Sequence, residues 1–273
     1  MKICRHGPRE AEEPGIVDAE GRIRDLSPVV DEITPATLPG VTGTPRDGVP
    51  LKGIGKIVAI GLDYEDDAIG SDLPIPTEPV MFMKAHSSLT GQDDEVMLPQ
   101  DATHGDWEVK LGVMVGKTCR YVEEADALDH IAGYVLANDV SERFNEKQRG
   151  LQWSKGKGHD TFCPVGSGLV TPDEAGDPQD LDMSLDLNGQ RVQTGNTRTM
   201  IFPVREIIAY LSRYVTLYPG DLVITGTPPG VGEGKPEPVF HKPGDEVRLT
   251  IGKLGTQTQQ VAVWRQLGDE VPA

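Results

Sequence analysis

The run Asp106-Trp-Glu-Val-Lys-Leu-Gly-Val-Met-Val115 has a two-residue period, which a strand can satisfy and a helix cannot. Trp107, Val109, Leu111, Val113 and Val115 make one apolar face, and Asp106, Glu108, Lys110, Gly112 and Met114 make the other. Side chains two apart on a strand point the same way, with about 7 Å between Cα atoms. Glu108 and Lys110 are therefore expected to look out together from a strand whose back is buried. An acid beside a base there is either a solvated ion pair or part of a site. Around this strand the chain must turn often: 22 Pro and 32 Gly in 273 residues argue for many short strands rather than a helical bundle.

Residues 2 to 6 and 22 to 26, bracketing the turn-like Glu13-Pro-Gly15, suggest a small antiparallel element. Residues 34 to 55 hold four prolines and five glycines and read as a linker. The expected division is thus a small N-terminal segment with its Pro/Gly-rich linker over 1–50 and a main domain over 51–273. Strands are predicted at 56–62, 80–84, 95–98, 220–225 and within 247–263. Asn188-Gly189 marks a two-residue hairpin. Short helices are predicted at 123–130 and at 141–148, the latter with Ser141 as N-cap. The best helix spans 203–213, with Val204, Ile207, Ile208 and Leu211 on one stripe. The count gives a mixed, β-rich α+β fold: a rolled sheet with peripheral helices and a small N-terminal β segment.

A net charge of -17 repels phosphate backbones and anionic membranes, so neither nucleic acid nor a membrane is expected as a partner. A small anion is still admissible where cations converge locally, and Arg143 and Lys157 are candidates. Cys4, Cys119 and Cys163 show no metal or CxxC spacing and read as reduced. Neither a signal-peptide core nor a run of about 20 apolar residues is visible, which places the chain in the cytoplasm.

Farther along come Ala137-Asn-Asp-Val-Ser-Glu-Arg143, Gln152-Trp-Ser-Lys-Gly-Lys-Gly-His-Asp-Thr-Phe-Cys-Pro164, Asn196-Thr-Arg-Thr-Met-Ile-Phe202 and Ile224-Thr-Gly-Thr-Pro-Pro-Gly-Val-Gly232. This ordered set, with the strand above, resembles the fumarylacetoacetate hydrolase family over roughly residues 51 to 265. The opening residues 1–8 and 21–26 look like the N-terminal segment of its ureidoglycolate lyase and 2,4-diketo-3-deoxy-sugar-acid hydrolase subfamily.

The resemblance implies Mg2+ or Mn2+ held by two glutamates one residue apart and an aspartate, since hard cations take oxygen ligands. The matching positions here are Glu108, Lys110 and Asp139. The second glutamate is a lysine, which has no lone pair to give. Three carboxylates and a dication sum to -1, and so do two carboxylates and an ammonium, so Lys110 can replace the ion. The expectation is no cofactor, with Mg2+ or Mn2+ only if Glu108 and Asp139 still hold it with water.

Relatives also carry a His–Glu dyad on a lid to activate water; in Gly61-Leu-Asp-Tyr-Glu-Asp-Asp-Ala-Ile-Gly70 those positions are Asp67 and Gly70. A lone carboxylate of ordinary pKa is a weak base at neutral pH. Glu146 stands where relatives have a substrate-binding Gln; it is either a solvated helix residue or a partner of Lys110. Lys110, Lys157, Asp67 and Glu146 are the catalytic candidates, and Arg143, Lys157, Thr227 and Tyr64 the substrate-binding ones.

Three readings follow. The favoured one is an enzyme acting on a small enolisable oxo-acid or dicarbonyl compound by altered, metal-independent chemistry: isomerisation, cyclisation or lyase action. The alternatives are a metal-dependent hydrolase of C–C bonds in 2,4-diketo acids and an inactive binding or assembly subunit. The resemblance further implies a homodimer.

Overall fold

A computed structural model of the chain describes residues 2–8, 12–26, 54–64 and 75–266. Two sheets organise it. The larger runs in the order Ile23–Asp25, Glu13–Val17, Lys2–His6, Cys163–Val170, Ile131–Asn138, Val109–Val115, Leu222–Ile224, Ile57–Gly61, Val80–Lys84. The smaller runs Gln190–Asn196, Asp182–Leu187, Glu246–Ile251, Gly255–Val263, Val96–Leu98. The β-rich α+β reading holds, and the N-terminal strands extend the larger sheet through the pairing of Lys2 with Val170. The expected linker falls almost wholly on residues outside those described.

All seven residues of Val109–Val115 are buried. The expected outward face therefore does not exist: the strand lies mid-sheet, paired to Ile131–Asn138 on one side and Leu222–Ile224 on the other. Val109, Leu111, Val113 and Val115 join the main core with Met183, Leu185, Val247, Leu249 and Ile251 of the second sheet. Met114 joins a smaller cluster with Ile57, Ala59, Val135, Leu222 and Ile224 on the opposite face. A polar residue on either face must consequently find its partner inside the protein.

The helix Val204–Tyr214 closes the main core with Val204, Ile207, Ile208 and Leu211. Each such side chain stabilises the fold by about 1.5–3 kcal/mol through burial. Asn188 and Gly189 turn the hairpin with φ of 51° and 75°, as a type I′ turn requires. Two local expectations fail. Glu13-Pro-Gly15 begins a strand rather than a turn, because proline's fixed φ is compatible with extended backbone. Ser141 is not an N-cap: the helix runs Arg143–Lys147 and Glu142 caps it, accepting from Asn145 N at 2.7 Å. Among the described residues, no helix is long and apolar enough to cross a membrane.

Candidate active site

The antiparallel register sets Asn138 opposite Val109, and Asp139 N donates to Glu108 O at 2.9 Å. Two carboxylates far apart in sequence are thereby delivered to one spot at the end of a strand pair. Lys110 Nζ stands between them, 3.1 Å from Glu108 Oε2 and 2.9 Å from Asp139 Oδ2, and donates its third hydrogen to Ile60 O at 2.8 Å. Lys157, the last residue of the helix Trp153–Lys157, reaches Glu108 Oε1 at 3.0 Å, Asp139 Oδ2 at 3.2 Å and Ser141 Oγ at 2.7 Å. Lys84 holds the remaining Asp139 oxygen at 2.6 Å. Both Lys110 and Lys157 lie over the ring of Phe82, at 5.4 and 5.0 Å.

Arg143 extends the network. Its Nη2 meets Glu108 Oε1 at 2.7 Å, its Nη1 meets Glu146 Oε2 at 3.0 Å and its Nε meets Asp106 Oδ2 at 2.9 Å. Asp106 also accepts from Gly232 N at 2.6 Å and Glu233 N at 3.1 Å, tying the guanidinium to the glycine-rich loop. Asp106, Glu108, Asp139 and Glu146 thus balance Lys84, Lys110, Arg143 and Lys157, four charges against four, all buried.

Burial disfavours charge on Glu108, Asp139 and Lys110, and their mutual proximity outweighs it. Burial raises the Glu108 pKa, but Lys157, then Lys110 and Arg143, outweigh it and bring it down to about 2. Asp139 follows the same pattern and lies well below the usual carboxylate range, burial being outweighed by Lys110, Lys157 and Lys84. Lys110 is raised despite burial, by Asp139 and Glu108. Lys84 goes the other way: burial outweighs Asp139 and lowers it.

Part of this network lines a cavity of about 720 Å3, whose wall carries Glu108, Lys110, Arg143, Glu146, Lys147 and Lys157. Gly61, Leu62, Trp153, Thr227, Val231, Glu233 and Gly234 complete it. Gly61 is required there, since a Cβ would fall 2.7 Å from the Trp153 ring. A second cavity of about 630 Å3, between Leu98 and Trp264, shares none of these residues.

The structure brings Glu108, Lys110, Asp139, Arg143, Glu146 and Lys157 together, and Thr227 beside them. Glu146 is neither solvated nor paired with Lys110; it is 2 % exposed and bound to Arg143. Tyr64 is not in the pocket: it is wholly buried and its hydroxyl donates to Met183 Sδ at 3.1 Å. Thr227 lines the pocket, but its hydroxyl donates to Val109 O and accepts from Gln193 Nε2, both at 2.9 Å, leaving no proton for a ligand. Asp67 lies outside the described residues. Sequence reasoning assigned no role to Asp106, Trp153, Lys147 or Glu233. Asp106 was within reach of it, because it shares the strand face of Glu108 and Lys110.

The donor set does not fit a divalent cation. Every oxygen of Glu108 and Asp139 already accepts from a lysine or arginine, and an ammonium occupies the point where the two carboxylates converge. Among the described residues there is no group of three or more His, Cys, Asp or Glu side chains that could hold a metal. What the arrangement offers is the fixed positive charge of Lys110, Lys157 and Arg143 beside this cavity, suited to an oxygen on which negative charge develops.

Comparison with known proteins yields four findings. Residues 56–262 match the family model for the fumarylacetoacetate hydrolase C-terminal domain. The chain is 68% identical to 2,4-didehydro-3-deoxy-L-rhamnonate hydrolase from Sphingomonas sp. strain SKA58, over 99% of both chains. Among solved structures, fumarylacetoacetate hydrolase from Exiguobacterium antarcticum superposes with a TM-score of 0.88 at 31% identity, covering 97% of this chain and 100% of that one. The 2-hydroxyhepta-2,4-diene-1,7-dioate isomerase of Mycobacterium marinum gives 0.78 at 33% identity, covering 96% and 98%.

Proposed function

Because the chain belongs to the fumarylacetoacetate hydrolase family, we propose that it hydrolyses the C3–C4 bond of a 2,4-dioxo-3-deoxy sugar acid, with the Lys110 ammonium in the position of a divalent ion. It is an enzyme of that family rather than an inactive assembly subunit. The sequence alone favoured isomerisation, cyclisation or lyase action. Hydrolysis now takes precedence, supported by the 68% identity to a hydrolase whose name specifies such an acid.

The observation that carries the metal-independent part is Lys110 Nζ seated 3.1 and 2.9 Å from Glu108 and Asp139. In the reaction, water adds to C4, the C3–C4 bond breaks, and its electron pair passes to the C2 oxygen as an enolate. C4 leaves as a carboxylic acid, and protonation at C3 gives pyruvate. Lys110 and Lys157, whose hydrogens are committed to Glu108, Asp139, Ile60 and Ser141, stabilise the enolate oxygen through their charge, and Arg143 offers its remaining Nη hydrogens to the C1 carboxylate. Asp67 is the carboxylate proposed to take the proton from water. The substrate is a small anion in a cytoplasmic, homodimeric enzyme, a setting consistent with three free cysteines.

The test is pyruvate release from 2,4-dioxohexanoate, followed with lactate dehydrogenase, before and after dialysis against a chelator. Turnover in the ordinary enzymatic range of about 1–1000 per second, unchanged by dialysis, is expected. Activity that disappears on dialysis and returns with Mg2+ or Mn2+ would overturn the metal-independent reading. Consumption of the compound without pyruvate would point to isomerisation, for which the M. marinum enzyme is the precedent.

A further inference from the structure

We propose that Glu146 is the residue that selects the acyl tail of the substrate, admitting a tail that carries a hydroxyl and rejecting one that carries a second carboxylate. This rests on the reading above, which places the oxo-acid head among Lys110, Lys157 and Glu108.

Glu108 and Glu146 occupy adjacent amino groups of one guanidinium, at 2.7 Å from Arg143 Nη2 and 3.0 Å from Nη1. With the C1 carboxylate on Arg143 and the C2 oxygen toward Lys110 and Lys157, the tail is assigned to the Glu146 side of the cavity. Arg143 takes Glu146 Oε2, and among the described residues no other donor reaches this carboxylate, which lines the cavity wall. Its stem is locked: a Cβ on Gly156 would sit 2.6 Å from Glu146 Cβ, so the two short helices pack with their backbones in contact. The carboxylate itself is oriented by its 3.0 Å contact with Arg143 Nη1. Leu62, Trp153 and Val231 supply apolar wall for the carbon skeleton of the same tail.

A carboxylate in this place accepts hydrogen bonds and donates none. A tail hydroxyl can give it a charge-assisted hydrogen bond, replacing the water it loses on entry. An alkyl tail leaves it without that donor, and a tail carboxylate meets like charge inside a low-dielectric wall. Glu233 and Lys147 pair with each other at the same side of the cavity and add no net charge there. Glu146 acts here by contact with the tail and takes no part in the proton transfer.

The test uses three 2-oxo acids that lack the C4 carbonyl and so cannot be cleaved: 5-hydroxy-2-oxohexanoate, 2-oxohexanoate and 2-oxoadipate. Their dissociation constants are measured by calorimetry on the intact protein and on Glu146→Gln, an isosteric change that keeps the Arg143 contact. The parent should bind the hydroxy acid at least about tenfold tighter than 2-oxohexanoate, and 2-oxoadipate more weakly than either. Glu146→Gln should narrow the hydroxyl preference and bind 2-oxoadipate at least about tenfold better than the parent does. Equal affinity of the parent for hydroxy and dicarboxylic tails, or unchanged ratios in Glu146→Gln, overturns the assignment. These readouts require no catalysis, so failure of 2,4-dioxohexanoate to yield pyruvate bears on the proposed reaction and leaves the tail preference to be decided by the binding ratios.

Discussion

Replacing Lys110 distinguishes an internal cation from an ordinary buried ion pair. At an effective dielectric constant of about 20, each of its two carboxylate contacts near 3 Å is worth roughly 5 kcal/mol of gross attraction. Most of that offsets the cost of desolvating the ammonium, leaving a net loss of about 3–5 kcal/mol when one partner of a buried network is deleted. Lys110→Met should fall in this range, toward its lower end because Lys157 and Lys84 still hold Asp139. Lys110→Glu should be worse in metal-free buffer, since a third carboxylate then joins Glu108 and Asp139. Saturating Mg2+ or Mn2+ should reverse that order: a ligand at about one hundred times its Kd stabilises by about 2.7 kcal/mol. Lys110→Glu should therefore gain stability with added metal while Lys110→Met and the parent gain little. Urea unfolding of the three proteins with chelator and with metal measures all six values. A parent stabilised by metal as much as Lys110→Glu would refute the claim that Lys110 fills the cation position.

Four further outcomes are expected. Because Glu108 titrates near pH 2 when folded and in the ordinary carboxylate range near 4.5 when unfolded, its share of stability, roughly 3 kcal/mol, is present above pH 4.5 and lost as pH falls toward 2; urea midpoints of Glu108→Gln should show a shallower acid limb. Asp63 behaves oppositely: burial raises its pKa to about 7, and Oδ2 has no partner among the described residues, so its penalty grows as pH rises from about 4 to 7, and Asp63→Asn should gain on the order of 2–4 kcal/mol at pH 8 and little at pH 4. Arg143→Ala should lose the 2-oxo acid site and also about 3–5 kcal/mol of stability, since three buried carboxylates lose a partner; parallel calorimetry and unfolding separate the two effects, and an unchanged unfolding midpoint would contradict the network. Gly156→Ala should cut kcat/KM about tenfold or more with the fold retained by circular dichroism, because its Cβ would fall 2.5 Å from Glu142 O and force apart the helices that carry Glu146 and Lys157.

The proposed homodimer has its own measurement. Sedimentation at micromolar concentration should give twice the chain mass, and the exposed Tyr214 and Tyr218, 60 and 56 % accessible in the single chain, are the residues whose substitution by Ser should weaken it.

What the sequence determined by itself was several of the elements and the residue types of the site. The two-residue period of 107–115, the Asn188-Gly189 turn and the 204–211 stripe are local signals, and each element stands where its signal put it. The replacement of a carboxylate by Lys110, and the convergence of Glu108, Asp139, Arg143 and Lys157, were also legible, because ordered motifs carry positions even when they do not carry geometry. The tertiary structure alone decided which faces see solvent. A period of two says that alternate residues face opposite ways, and it cannot say whether a second cluster covers the polar side. Here one does, so Lys110 and Glu108 became buried and charge balance became a condition of folding. The same applies to Glu146, Thr227 and Tyr64, whose partners Arg143, Val109 and Met183 are set by packing between separate elements. Hydrogen-bond donors are committed only once all neighbours are in place, which is why a Thr in a matching motif arrives with no proton to offer and a surface-patterned Glu arrives inside the wall of the cavity.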